Sequence, residues 1–379
     1  MTTLFWIGVL GLAVLETALV YFIMPMPGSQ RMRSLELAYA LYTWRWALRV
    51  VLGVVMLLGI VPAFRAPRVR WAAGVALAAL GALTYVVNFR MAADAIFLQP
   101  TVVRLAPAAR NAVAMDRLVV GVEIDGEARA YPLQFIGYHH QVRDTIAGQQ
   151  VLVSYCTVCR TGRVFRPVVE SVPETFRLVG MDHFNAMFED RTTRSWWRQA
   201  NGVAVIGPLK GTAMPELPSV QVTLGQWLAL YPQSLVMQAD SAFVSEYAKD
   251  YAFERGTKRG GLTGTDSTSW QDKSWVVGIA LGGAARAYDW NELRRERVIN
   301  DTVGGVPIVL ALASDSASFF AFRRPADARL LAVRGDSLRG GGGAWALNGR
   351  GRSSRLEAIN ASQEFWHSWR TFQPATTRH

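Results

Sequence analysis

Three long apolar runs fill the first quarter of the chain, and short alternating patterns fill most of the rest. Leu4 to Met24 is broken only by Glu16 and, at 1.5 Å rise per residue, is long enough to cross a hydrocarbon core of about 30 Å. A second run spans about Trp46 to Val61, with Arg45 and Arg49 at one end where long side chains reach the interface. The third, Trp71 to Phe89, carries Ala72, Ala73, Gly74, Ala78 and Gly81, small enough to let helices approach closely. Residues 1–95 are therefore expected to form a three-helix transmembrane anchor with helices at about 4–24, 46–61 and 71–89. The start MTTLFW has no early Lys or Arg and reads as a first span, not a signal peptide. Arg65, Arg68 and Arg70 in the second connection outweigh Arg31 and Arg33 in the first, which places the amino terminus inside and the bulk of the chain outside. Glu16 reads as a polar contact within the bundle, with a functional intramembrane carboxylate as the alternative.

Beyond the anchor the chain resembles itself. Val119 to Val153 aligns without gaps with Val276 to Leu310, offset by 157 positions, and the pairs include Arg129 with Arg286, Tyr131 with Tyr288 and Asp144 with Asp301. WLALYP from Trp227 aligns with WRTFQP from Trp369 at an offset of 142, so the second copy is shorter in its middle. Each copy reads as a hairpin, a helical stretch, then D-T-x-x-G leading into a β-rich run, with an amphipathic helix near its end. The expected fold is α+β: a strand-rich domain of two halves with pseudo-twofold character. The halves are 113–246 and 274–372, and the Gly-, Ser- and Thr-rich stretch 247–273 is the linker.

Composition sharpens this. The 379 residues are 51% hydrophobic and 18% charged, with mean hydropathy +0.15, too apolar for an ordinary soluble protein. The net charge is +11, and residues 1–112 account for most of it with ten Arg against Glu16, Glu36 and Asp94. The larger remainder thus has no strong basic field, and nucleic acid is set aside as a partner. Thirteen Trp, 17 Phe and 11 Tyr exclude disorder over most of the length. Two cysteines exclude a multi-disulfide scaffold and a four-cysteine zinc site.

Groups needed only for packing should survive in both halves, so differences mark chemistry. Cys156 and Cys159 face Ala313 and Ser316, while His139 and His140 face Glu296 and Arg297. Gly180 to Gln199 lies largely in the part that the second half has shortened. Reactive residue types thus concentrate in the first half, and the second is expected to be scaffold. In S-Y-C-T-V-C-R-T-G, Cys156 ends a strand and Gly162 follows Cys159 closely, which suits a turn that aims two thiolates at one point. Three readings stay open: a soft-metal site for copper or zinc, built from Cys156 and Cys159 with His139 and His183 (His140, Met181 and Met187 lie nearby); a dithiol that cycles with a disulfide; and a static pair. Cys156, Cys159, Asp190 and Arg191 are the catalytic candidates. Trp196, Trp197 and Gln199 are candidates for a ligand pocket.

These motifs carry a resemblance. ARAYP at Ala128 to Pro132, His139 to Asp144, Tyr155 to Cys159, and the run from Asp190 to Gln199 occur in the order found in the bacterial domain-of-unknown-function family 3179. The chain departs from that pattern at His140, Arg143 and Thr157. The resemblance spans about residues 113–372 and implies an extracytoplasmic domain on a bacterial inner-membrane anchor; it supplies no reaction. The resulting expectation is a membrane-anchored protein, with the lipid bilayer as its partner, carrying a metal or thiol-redox site. The alternative is a non-catalytic module that grips a protein or small molecule through a Trp-rich groove, with the cysteines as a staple.

Overall fold

A computed structural model describes residues 2–326, 328–333 and 336–379. The chain divides into two compact units. The first comprises Met1–Leu98, Thr175–Arg198 and Val203–Thr212; the second comprises Gln99–Glu174, Gln199–Gly202 and Ala213–His379.

In the first unit, α1 (Thr2–Tyr21), α2 (Leu35–Arg65) and α3 (Arg70–Val86) follow the three apolar runs. With the turn that continues α3 to Met91, all three are long and apolar enough to cross a membrane. The second helix starts 11 residues earlier than expected, because nothing in Leu35 to Arg45 breaks a helix and the first turn carries Glu36 near its positive end. After α3 the chain widens into a π turn, Val87–Met91, followed by the short α4 (Ala93–Ile96). That turn presents Asn88 to a buried polar knot. Glu16, 2% exposed, accepts from Arg49 Nε at 2.6 Å and Nη2 at 2.7 Å, and from Asn88 Nδ2 at 2.9 Å. Arg49 therefore does not reach for the interface. It neutralises a carboxylate that would be costly unpaired, and Glu16 has the bundle-contact role that its pattern suggested. Close helix approach also falls elsewhere than expected. Gly74 and Gly81 have open space beside them, whereas a Cβ on Gly8 would lie 2.5 Å from Met56, and one on Gly11 would lie 2.7 Å from Leu52.

Segments 175–198 and 203–212 pack with these helices, as an antiparallel sheet in the order Ala204–Ile206, Trp196–Arg198, Asn185–Asp190, Phe176–Asp182. The Trp196 ring meets Tyr39 and Tyr42 edge-on at 5.1 and 5.4 Å. Arg177 bridges Glu189 at 2.8 Å and Asp94 at 2.9 Å.

The second unit contains the same order of elements twice. Strands Leu118–Ile124 and Glu127–Pro132, then α5 (Leu133–His139), then strands Gln141–Ile146, Gln149–Cys156 and Thr161–Phe165 come first. Strand Val220–Thr223, α6 (Leu224–Leu230) and strand Leu235–Met237 follow. Later, Trp275–Leu281, Ala284–Asp289, α7 (Trp290–Glu296), Val298–Val303, Val306–Leu312 and Phe319–Arg323 run in the same sequence. They are followed by Ser362–Phe365, α8 (Trp366–Phe372) and Thr377–Arg378. Pairings match as well: Leu235–Met237 lies parallel to Glu127–Pro132 as Thr377–Arg378 does to Ala284–Asp289, and the other partners are antiparallel. Tyr131 donates to Asp144 at 2.8 Å and Tyr288 to Asp301 at 2.8 Å.

Each helix end is seated by one indole on one glycine. A Cβ on Gly121 would lie 2.4 Å from the Trp227 ring, and one on Gly278 would lie 2.2 Å from Trp369. Both rings are buried, so neither can retreat. Gly121→Ala and Gly278→Ala are each expected to cost about 3 kcal/mol through overpacking. A lowered thermal unfolding temperature of the detergent-solubilised chain would register it; an unchanged one would show that the indoles move freely.

Candidate functional site

Cys156 closes strand Gln149–Cys156 and pairs across the hairpin with Thr161, leaving Thr157 to Arg160 as the turn. The left-handed residue of that turn is Arg160 (φ 57°), not Gly162, which lies in the returning strand against Val120 and Tyr155. A non-glycine residue pays about 1 kcal/mol there, and the Arg160 side chain holds the turn in return. Fully buried, its Nε donates to Gln363 Oε1 at 2.8 Å, Nη1 to Phe253 O at 2.8 Å and Nη2 to Glu254 O at 3.1 Å, while its plane lies 3.6 Å over Trp275. Cys156 and Cys159 are both fully buried, joined by a thiol hydrogen bond and not by a disulfide.

The groups packed against the cysteine turn come largely from the second half, with Lys273 from the preceding stretch. Phe365 N donates to Cys159 O at 2.9 Å, which anchors the start of α8 on the cysteine turn. Ser368 hydrogen-bonds the Cys159 thiol and donates to Glu364 Oε2 at 2.8 Å. Glu364 also accepts from Arg163 Nη2 at 2.8 Å, whose Nη1 reaches Glu216 at 3.0 Å. Lys273 Nζ donates to Val158 O at 2.8 Å and Leu262 O at 2.6 Å, and lies 3.2 Å from His367 Nε2. His367 Nε2 is also 3.2 Å from Val158 O, so its tautomer decides whether it donates to the carbonyl or accepts from the amine.

The shifts of Cys159, Lys273 and His367 all favour the neutral form, while Glu216 and Glu364 hold Arg163 charged. Burial, then the neighbouring Cys156, pushes the Cys159 thiol well above the ordinary thiol range. Burial also lowers the Lys273 amine, against the pull of both cysteines. Burial and the Lys273 charge bring His367 down to about 4.

The concentration of chemistry in the first half is therefore corrected: the second half, and Lys273 at the end of the supposed linker, surround the thiols. Comparing the halves in the opposite direction would have shown it. Glu364, His367 and Ser368 stand where the first half has Val222, Gly225 and Gln226. The equivalent turn of the second half does only structural work, with Asp315 accepting from Ala317 N, Ser318 N and Thr223 Oγ1.

The other candidates are placed elsewhere. Among the described residues no group of three or more His, Cys, Asp or Glu is positioned to hold a metal. His139 Nε2 is 2.9 Å from the Tyr247 hydroxyl, which burial pushes up to about 12. His140 Nδ1 is 2.9 Å from Tyr155 O. His183 pairs with Asp182 at 2.6 Å in the first unit, where Met181 and Met187 also lie, while the cysteines belong to the second. The Trp groove is also overturned. Trp196 and Trp197 are completely buried, their indole N–H groups spent on Glu189 at 3.0 Å and Asp190 at 2.9 Å. Asp190 caps its own turn through Thr193 N, Thr193 Oγ1 and Arg194 N, and Arg191 is exposed. Gln199 is buried in the second unit, donating to Ser154 Oγ and Thr161 O.

The model of the family described as "Protein of unknown function (DUF3179)" matches residues 96–376. The chain belongs to that family. The DUF3179 match takes in both cysteines, Lys273, Glu364, His367 and Ser368, and leaves the three apolar helices before it. No curated protein and no solved structure matches the chain.

Two buried imidazoles give this DUF3179 chain an acid limit. His140 and His367 both sit near 4 in the fold against 6.5 when free, chiefly through burial. Their folded pKa is depressed, so the unfolded chain binds these protons first. Stability is full above about pH 6.5 and falls as pH drops toward 4, by about 3 kcal/mol for each histidine. Thermal unfolding between pH 7 and pH 4 should show a fall that His140→Asn and His367→Gln each flatten; an equal fall in both variants would assign it to other groups.

Proposed function

We propose that this DUF3179 protein is a membrane-anchored thiol protein in which Cys156 and Cys159 undergo dithiol–disulfide exchange at a site completed by Lys273, His367 and Ser368. The observation that carries the reading is the pair of unbridged, mutually hydrogen-bonded thiols coupled by charge to the Lys273 amine, which itself lies 3.2 Å from the His367 imidazole. In the exchange, one thiol gives its proton to Lys273 or His367 and attacks a partner disulfide. The second thiol then attacks the mixed disulfide, leaving a Cys156–Cys159 disulfide and two partner thiols that recover the protons. The sulfurs are buried, so access requires movement of the turn or of the Lys273 side chain. The Arg-rich second connection supports a domain on the extracytoplasmic side, where such exchange is at home. The matching order of elements, the two Tyr–Asp bonds and the two Gly–Trp contacts support descent of both halves from one duplicated unit.

A second reading, two static thiols that pack the turn inside a binding module, is favoured by the complete burial of both sulfurs. Metal analysis combined with intact mass of the full chain separates the readings. Exchange predicts no stoichiometric copper or zinc and a reversible loss of two hydrogens on treatment with oxidised glutathione, absent in Cys159→Ser. One metal per chain would restore the metal reading, and thiols inert in the native state would restore the static one.

A further inference from the structure

The first unit encloses a cavity of about 240 Å³ where α1 ends, α2 begins and the π turn follows α3. Its lining includes the apolar Leu19, Ile23 and Val87 and the polar Tyr42, Arg45, Asp94 and Arg177. Trp44, Trp46 and Phe89 are about two-thirds exposed at this end, the aromatic signature of the headgroup level.

Charge selects the occupant. Arg49 is neutralised by Glu16, and Arg177 by Glu189 and Asp94. Arg45 has no carboxylate partner among the described residues; its guanidinium lies 3.8 Å over the Tyr42 ring and donates to the Tyr42 carbonyl. The cavity thus offers one uncompensated planar cation beside an apolar slot that opens at the depth of lipid head groups. Guanidinium groups bind phosphate through paired, charge-assisted hydrogen bonds, and basic pockets between spans seat anionic lipids.

We propose that this cavity holds one anionic glycerophospholipid, its phosphate on Arg45 and an acyl chain along the α1 wall. The inference rests on the reading that α1 to α3 cross a bilayer. The full chain, purified in a neutral detergent, is expected to retain about one phosphatidylglycerol per chain. Arg45→Gln should reduce retention about tenfold, and Arg45→Lys less. Ala92→Leu, which adds bulk to the cavity lining and leaves the charge, should also reduce it. After delipidation, phosphatidylglycerol should raise the unfolding temperature, whereas phosphatidylcholine and inorganic phosphate should not. Equal stabilisation by phosphatidylcholine, or full retention by Arg45→Gln, would overturn the site; stabilisation by inorganic phosphate alone would make it a free-anion site and overturn the lipid. Failure of the anchor is seen separately, as release of the chain from membranes by carbonate.

Discussion

Lys273→Met is expected to slow exchange at Cys156 and Cys159 by about 100-fold, the scale of a lost general base. Cys159 resists ionisation because burial and Cys156 both penalise the thiolate. Lys273 is coupled by charge to both cysteines, and its lowered pKa makes it a better proton acceptor near neutral pH than a free lysine. His367, 3.2 Å from Lys273 and lowered to about 4, stays neutral near pH 7 and is too weak a base to replace the amine. The rate of reaction with oxidised glutathione, followed from pH 6 to 9, should therefore lose its base-dependent limb in the variant. Arg323→Gln, which removes a surface pair with Glu357, is the control and should leave the profile in place. An unaltered profile in Lys273→Met, with the chain still folded, would remove the amine from the chemistry.

Arg160→Leu should cost about 4 kcal/mol in stability. It strips donors from Gln363 Oε1, Phe253 O and Glu254 O inside the protein, and each buried acceptor left bare costs about 1 to 3 kcal/mol. The leucine also inherits a left-handed backbone without the bonds that sustained it. Lysine is no remedy, because a point ammonium cannot reach three acceptors in the geometry of the fork. Unfolding temperature in detergent reads this directly: a variant as stable as the parent would mean that the turn does not depend on its arginine.

The hairpin, helix and strand at 118–146 and at 275–303 were legible because those patterns are local, and each stretch forms the elements its pattern predicts. The cysteine hairpin was equally readable, since Cys156 ends an apolar run and a strand returns after it. The rest of the site was hidden for two reasons. Glu364, His367 and Ser368 are gains of the later stretch, and a comparison of reactive residues lost from it does not reveal them. Lys273 is bound mainly by carbonyl oxygens of residues 158 and 262, and main-chain acceptors leave no trace in a sequence. The Trp196–Trp197 pair misled for a geometric reason. Adjacent strand residues point to opposite faces, and here the carboxylates seven residues earlier, Glu189 and Asp190, satisfy one indole each, so both rings are buried.

The most direct test is a redox titration of the full chain in glutathione or dithiothreitol buffers, reading the Cys156–Cys159 pair by intact mass. A reduced form whose thiols are not held as thiolates lacks the stabilisation that makes a strong oxidant. The expected result is a reversible two-electron curve with its midpoint at or below about −200 mV, abolished by Cys159→Ser and reached more slowly, at a similar midpoint, by Lys273→Met. A pair that stays reduced at every potential in folded protein would contradict the exchange site.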